Sequence, residues 1–166
     1  MSNLVLFYSE KKENGNYSNF APFPIVIDGK IFLCNEQYIM FSKALLFGDI
    51  ETAQLIMASS NHVEIKKLGR LVKNFNEKMW HNEINRIADN CNVVKFTSYP
   101  KLKAMLLATG DKIIAEASPY DKIWGIGVDT EVGKDRSKWQ GTNILGESLM
   151  RVRKVLKELD SLQQSR

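Results

Sequence analysis

The chain has few of the residues that build disulfide frameworks and metal sites. Its 166 residues include two cysteines, Cys34 and Cys91, and two histidines, His62 and His81. Two cysteines on segments with apolar neighbours predict a reduced thiol pair rather than a disulfide scaffold. The histidines stand apart from each other and from the cysteines, without the spacing of a metal site. We therefore expect no bound metal.

Long hydrophobic runs and phosphate-binding glycine loops are also missing. No stretch is long and apolar enough to span a bilayer, and the N-terminal apolar run is too short for a signal peptide. These absences predict a cytoplasmic protein with no membrane partner. Gly125 and Gly127 lack the third glycine of a dinucleotide fingerprint and do not open a helix. We accordingly expect no nucleotide cofactor.

Length and composition predict one globular domain over residues 1–166, with its core at about residues 4–160. The apolar fraction of 44% is that of an ordinary protein with a hydrophobic core. A net charge of +4 permits phosphorylated ligands or nucleic acid without requiring either. Lysines and arginines concentrate in residues 66–73 and 151–157, where solvated helix faces are the simpler interpretation.

Hydrophobic periodicity predicts an α+β fold, mainly helical and packed around a small β-sheet. Strands are expected at Leu4–Tyr8, in a hairpin turning at Asp28-Gly29, and from Ile113. Asn35, Asp49 and Asn61 are the predicted N-caps. The last helix should bury Val155 and Leu159, among other apolar residues, and its polar tail should fray. The predicted helices are residues 36–47, 50–58, 62–71, 77–96, 101–108 and 144–162.

The stretch from residue 113 to residue 127 has the composition of a binding-site wall. Glu116 and Asp121 follow a short apolar strand, and Trp124, Gly125 and Gly127 come next. Glycine permits close backbone approach, and an indole offers a large flat surface beside the acids. A second stretch with the same mixture precedes the last helix, and its polar member is Asn143.

Other candidate residues lie earlier in the chain. Glu36 and Lys43 share one face of the first helix, although they can equally be partly exposed ends of an amphipathic helix. Trp80 belongs to an apolar helical stripe and can be a core residue instead. The segment Ser18-Asn19-Phe20 is either a turn or a polar clamp between aromatic rings.

Carboxylates, indoles and a lysine together suit the cleavage of an N-glycosidic bond. A carboxylate can stabilise an oxocarbenium-like sugar while a second group protonates the leaving atom. Opening of the sugar ring unmasks an aldehyde at C1, which a partly neutral lysine amine can trap as a Schiff base.

The order of these motifs along the chain resembles the NADAR family, which includes the YbiA-like N-glycosidases. The resemblance runs from about Leu6 to Leu159 and is most specific between Glu116 and Arg153. The residues that carry it are Phe7-Tyr8, Ser18-Asn19-Phe20, Asp28-Gly29, Asn35-Glu36-Gln37-Tyr38, Lys43-Ala44, Leu68-Gly69-Arg70, Trp80, Lys95-Phe96, residues 106–110, Glu116, Asp121, Trp124-Gly125, Gly127, and Trp139 through Arg153.

The resemblance implies a compact α+β enzyme that hydrolyses N-glycosidic bonds. Characterised members act on phosphorylated ribosylamino-pyrimidines of riboflavin synthesis, releasing ribose 5-phosphate, or remove ADP-ribose from guanine in nucleic acid. A non-catalytic sensor of ADP-ribose or NAD is a third possibility. Many members carry Gln where this chain has Met40. The implied catalytic residues are Glu36, Lys43, Trp80 and Asp121, and the implied ligand-binding residues are Ser18, Asn19, Phe20, Glu116, Trp124, Gly125, Gly127 and Asn143.

Overall fold

A computed structural model describes residues 2–166, and within it the chain forms two compact units. Among the described residues, unit 1 comprises residues 2–18 with Phe96–Arg166, and unit 2 comprises Asn19–Lys95. In chain order the elements are β1 (Leu4–Phe7), β2 (Ile25–Ile27), β3 (Lys30–Phe32), α1 (Asn35–Leu46), α2 (Ile50–Ala58), α3 (His62–Arg70), α4 (Glu77–Ser98), α5 (Pro100–Ala108), β4 (Ile113–Glu116) and α6 (Ile144–Gln164).

Unit 1 is built on a parallel pair of strands covered by a helix. Leu4 of β1 lies opposite Ile113 of β4, and the register continues to Phe7 opposite Glu116. Helix α6 packs on β4 through its buried residues. The Arg153 guanidinium of α6 donates to the Thr109 hydroxyl and to the Lys112 carbonyl, both at 2.8 Å, which ties the helix to the segment before β4.

Unit 2 is a helical layer with a β-hairpin at its start. In the hairpin turn, Asp28 and Gly29 both have positive φ, at 51° and 74°, as a two-residue type I′ turn requires. Helix α1 packs against α2 and α3. The amide of Gln37 donates to the carbonyls of Ile56 and Ser59, both at 3.1 Å, and so joins α1 to the end of α2.

The α+β class is confirmed, and most predicted elements are present. The strands, however, form two two-stranded sheets among residues 2–166 instead of one. The predicted caps at Asp49 and Asn61 are also confirmed, because their side chains accept from backbone amides in the first turns of α2 and α3. No helix in residues 2–166 combines the length and apolar character needed to cross a membrane.

Three local predictions are wrong. Asn35 is not an N-cap: it is the first residue of α1, and its side-chain amide donates to Asn92 Oδ1 at 2.8 Å. Val155 and Leu159 of α6 are 42% and 46% exposed, so the buried stripe of that helix is narrower than its apolar pattern. The same helix continues to Gln164, past the residue where the polar tail was expected to fray.

Candidate functional site

Glu36 lies in the first turn of α1 and is 8% exposed. Its backbone N–H donates to the carbonyl of Asn19 at 2.9 Å, which anchors the loop before β2 to the helix. Asn19 is itself buried, and its Oδ1 has no hydrogen-bond partner among residues 2–166. Burying an acceptor without a hydrogen-bond partner lowers the stability of the folded protein. This oxygen is therefore suited to accept a hydrogen bond from a ligand.

Lys43 lies two turns further along α1 and is half-buried. Its Nζ donates to the carbonyl of Gly69 at 2.8 Å and lies 4.8 Å from the ring centre of Phe75 and 5.8 Å from that of Trp80. Burial lowers the pKa of Lys43, since water no longer stabilises the ammonium fully. Glu36 opposes that lowering of the pKa, and Arg70 adds to it. Lys43 is thus an amine that gives up its proton more readily than a surface lysine.

Helices α1 and α3 approach each other closely at Gly69. A Cβ atom on Gly69 would lie 1.9 Å from the sulfur of Met40, so a side chain here would displace that methionine. Met40 is 7% exposed and fills this contact with an apolar thioether. Met40 is therefore a packing residue at the contact between α1 and α3.

Phe20 is the third member of the predicted Ser18-Asn19-Phe20 clamp. Its ring lies 5.8 Å from that of His62, and the Lys66 ammonium lies 5.6 Å from its centre. Ser18 is buried and belongs to unit 1, where its N–H donates to the Gly15 carbonyl at 3.0 Å.

Asp121 shapes the loop after β4. One carboxylate oxygen accepts from the backbone amides of Ile123 at 2.9 Å and Trp124 at 2.8 Å. The Asp121 carbonyl accepts from the amide of Gly127, which has a φ of 72°. These bonds give Asp121 a structural role in the loop that we did not predict. The role is a common one, because an Asp in a turn often accepts hydrogen bonds from the backbone amides that follow it. Its catalytic role stays a prediction.

Asn143 joins the same loop to β4 from the start of α6. Its amide donates to the Ile114 carbonyl at 3.0 Å and accepts from the Glu116 amide at 3.2 Å. One side-chain donor and the side-chain acceptor of Asn143, which we expected to face a ligand, are thus hydrogen-bonded to the backbone of β4.

The loop glycines let backbone segments approach one another. A Cβ on Gly125 would lie 2.8 Å from the Glu116 carbonyl oxygen, and one on Gly141 would lie 2.2 Å from the Gly125 carbonyl oxygen. The close approach inferred from the sequence is therefore present, and its partner is the protein's own backbone. Trp139 packs against the apolar cluster beside this loop, and its indole N–H donates to the Gly133 carbonyl at 2.8 Å.

Lys95 is a titratable residue for which the sequence reasoning proposed no function. It is 1% exposed in the last turns of α4, with its Nζ 5.6 Å from the ring centre of Phe23. Burial lowers the pKa of Lys95 to about 7, and the neighbouring Cys91 and Cys34 raise it slightly against that effect. The sequence contained a signal that Lys95 is buried, because Lys95 follows Cys91 by four residues and continues the apolar stripe of the helix.

The structure thus gathers the predicted residues into two groups. In unit 2, the Lys43 ammonium lies beside Trp80 and within the electrostatic influence of Glu36. In unit 1, the loop after β4 holds Asp121 together with Glu116, Trp124, Gly125, Gly127 and Asn143. Convergence of the two groups on one pocket stays a prediction.

Comparison with known proteins identifies the family. Residues 6–157 match the NADAR domain model. An N-glycosidase of Acanthamoeba polyphaga mimivirus is 41% identical over 159 residues, covering 90% of this chain and 94% of the relative. The N-glycosidase YbiA of Escherichia coli strain K12 is 29% identical over 153 residues, covering 92% and 88%.

The fold agrees with that assignment. The NMR structure of the E. coli protein YbiA superposes with a TM-score of 0.79 at 28% identity, covering 97% of this chain and 88% of the other. The interpretation as a non-catalytic sensor is set aside, because these two relatives are named N-glycosidases. The chain is an N-glycosidase that belongs to the NADAR domain family.

Proposed function

We propose that the protein hydrolyses the N-glycosidic bond of phosphorylated ribosylamino-pyrimidines, releasing ribose 5-phosphate and the free pyrimidine amine. The observation that carries the proposal is the grouping of a buried carboxylate, a half-buried amine and an indole in unit 2. Glu36, Lys43 and Trp80 supply a stabilising negative charge, a nucleophile and a flat apolar surface. No metal or cofactor enters the proposed reaction.

The proposed reaction balances with one molecule of water. Opening of the ribosylamine ring leaves C1 double-bonded to the pyrimidine nitrogen. The neutral amine of Lys43 adds to C1, the C1–nitrogen bond breaks, and the pyrimidine amine leaves with a proton. Water then adds to C1 of the lysine iminium, which releases the sugar aldehyde and regenerates Lys43.

Each remaining residue has a proposed task in that sequence. The carboxylate of Glu36 stabilises positive charge that develops at C1, and Trp80 flanks the reacting centre. Asn19 offers its buried acceptor to a sugar hydroxyl, with Phe20 and Ser18 beside it. For the loop of unit 1, the family resemblance implies that Asp121 takes part in catalysis and that Glu116, Trp124, Gly125, Gly127 and Asn143 bind the ligand.

A second candidate substrate is guanine carrying ADP-ribose, in nucleic acid or as a nucleoside. The observation that favours it is the basic face of α3, which carries the exposed residues Lys66, Lys67 and Arg70. Such a face attracts phosphate groups, and a polynucleotide offers many of them.

The cytoplasmic location and the single-domain organisation inferred from the sequence stay predictions.

The test is to incubate purified protein with freshly generated ribosylamino-pyrimidine phosphate and measure the release of ribose 5-phosphate. We expect release by the parent and a loss of about 100-fold or more in Glu36→Gln, which keeps the shape but removes the charge. Glu51→Gln is the matched control, because Glu51 is an exposed acid of the same unit paired with Lys73. It should behave like the parent.

A parallel assay with an ADP-ribosylated oligonucleotide separates the two substrates. Release of ADP-ribose without release of ribose 5-phosphate would replace the first proposal with the second. Equal turnover of the oligonucleotide and the modified free nucleoside would show that the basic face of α3 does not bind nucleic acid. A Glu36→Gln enzyme with most of its activity would remove Glu36 from the mechanism.

A further inference from the structure

Phe75 is not among the predicted site residues, yet its ring lies against the Lys43 ammonium. Phe75 lies in the segment before α4 and is 48% exposed. Its ring makes an edge-on contact with Phe47 at 5.3 Å, which fixes its orientation at the end of α1. The Lys43 ammonium lies nearer to this ring centre, at 4.8 Å, than to that of Trp80.

The contacts of the Lys43 ammonium come from several elements of unit 2. The carbonyl of Gly69, near the end of α3, accepts a hydrogen bond at 2.8 Å, and the rings of Phe75 and Trp80 lie within the range of a cation–π interaction. Glu36 on the same helix and Arg70 on α3 are the charged groups that act on it among residues 2–166. From α4 it meets the uncharged indole.

We propose that Phe75 is a positioning residue for Lys43, whose ring, with the Gly69 carbonyl, fixes the ammonium and sets how readily it becomes the free amine. The physical reason is that an aromatic face attracts the cation and not the neutral amine. The consequence for catalysis rests on the nucleophilic role proposed above for Lys43. The placement of the side chain does not depend on that role.

The test measures Lys43 directly in the folded protein without substrate. Lysines are dimethylated with ¹³C-formaldehyde, and the Lys43 resonance is assigned by its loss in Lys43→Arg. In Phe75→Leu the ring is removed at similar volume, so the ammonium loses its stabilisation and the pKa of Lys43 falls, by about half a unit. Phe75→Tyr should restore the parent pKa.

Phe41→Leu is the matched control, because Phe41 is an aromatic residue of α1 that packs on Phe32 at 5.4 Å. It should leave the Lys43 titration unchanged. An identical titration in the parent, Phe75→Leu and Phe75→Tyr would overturn the proposal, as would an equal shift in Phe41→Leu.

Activity provides the second readout. The acid limb of the kcat profile should move to lower pH in Phe75→Leu by the same amount as the titration, with KM little changed. If Phe75→Leu shifts the pKa of Lys43 but not the acid limb of the kcat profile, the contact between Phe75 and Lys43 is supported and its effect on catalysis is overturned. A protein inactive on every ribosylamine would contradict the proposed function and leave the substrate-free titration as an independent test of Phe75.

Discussion

Two lysines of unit 2 are removed from water in different ways. Lys95 is enclosed, 1% exposed, with a pKa of about 7 and with Phe23 and two buried thiols around it. Lys43 is half-buried, and a carbonyl and two rings contact its ammonium. Burial lowers the pKa of both.

The difference shows that a lowered pKa does not by itself identify a catalytic amine. A nucleophile must also reach the electrophilic carbon, and a half-buried amine meets that requirement better than an enclosed one. We therefore propose Lys43, and not Lys95, as the nucleophile, although burial lowers the pKa of Lys95 to about 7. The following variants distinguish the two lysines.

The largest expected effect is on turnover. Lys43→Met keeps an unbranched apolar stem and removes the nucleophile, so kcat should fall by about 100- to 10,000-fold. Lys95→Met is the matched substitution and should leave turnover largely unchanged. Rates are measured by release of ribose 5-phosphate at saturating substrate. A severe loss in Lys95→Met with an active Lys43→Met would exchange the two roles.

The next effect is on stability. Trp80 is 8% exposed, so Trp80→Ala should lower the free energy of unfolding by about 3–5 kcal/mol, in addition to its cost in activity. The measurement is urea denaturation of parent and variant. Trp80→Phe, which keeps an aromatic ring beside Lys43, should retain most of the stability. A Trp80→Ala protein as stable as the parent would show that the indole is not part of the core.

The smallest effect is the pH dependence of stability between pH 7 and pH 9. Folded Lys95 loses its proton near pH 7 and unfolded Lys95 near 10.5, so in this window the unfolded chain binds more protons. The free energy of unfolding should then rise with pH, by up to about 1.4 kcal/mol per pH unit. Above that window the raised pKa values of Cys34 and Cys91 act in the opposite direction.

Lys95→Met should remove most of this rise, whereas Lys43→Met should keep it. Urea denaturation at several pH values checks both variants. A parent whose stability is flat from pH 7 to pH 9 would contradict the enclosed, easily deprotonated state of Lys95.

Local signals in the sequence predicted the elements that local physics determines. The Asp28-Gly29 turn needs two residues that tolerate positive φ, and both have it. Asp49 and Asn61 cap helices because their acceptors reach the amides of the following turn. Asn35 looked equivalent, yet its side chain bonds Asn92, 57 residues away, which no local pattern indicates.

The surroundings of the candidate site depended on tertiary contacts that the sequence does not encode locally. The shared face of Glu36 and Lys43 follows from helical spacing, but the Gly69 carbonyl and the Phe75 ring come from distant segments. The packing of Met40 on Gly69 is likewise visible only once α1 and α3 are placed together. Lys95 could have been found, because a lysine in an apolar stripe signals burial.

Trapping of the covalent intermediate tests the assignment of Lys43 most directly. Parent protein is treated with borohydride while it turns over ribosylamino-pyrimidine phosphate, then digested and analysed by mass spectrometry. We predict a reduced sugar adduct on the peptide that contains Lys43 and none in Lys43→Arg. An adduct on Lys95, or an unmodified protein under conditions of full turnover, would contradict the account.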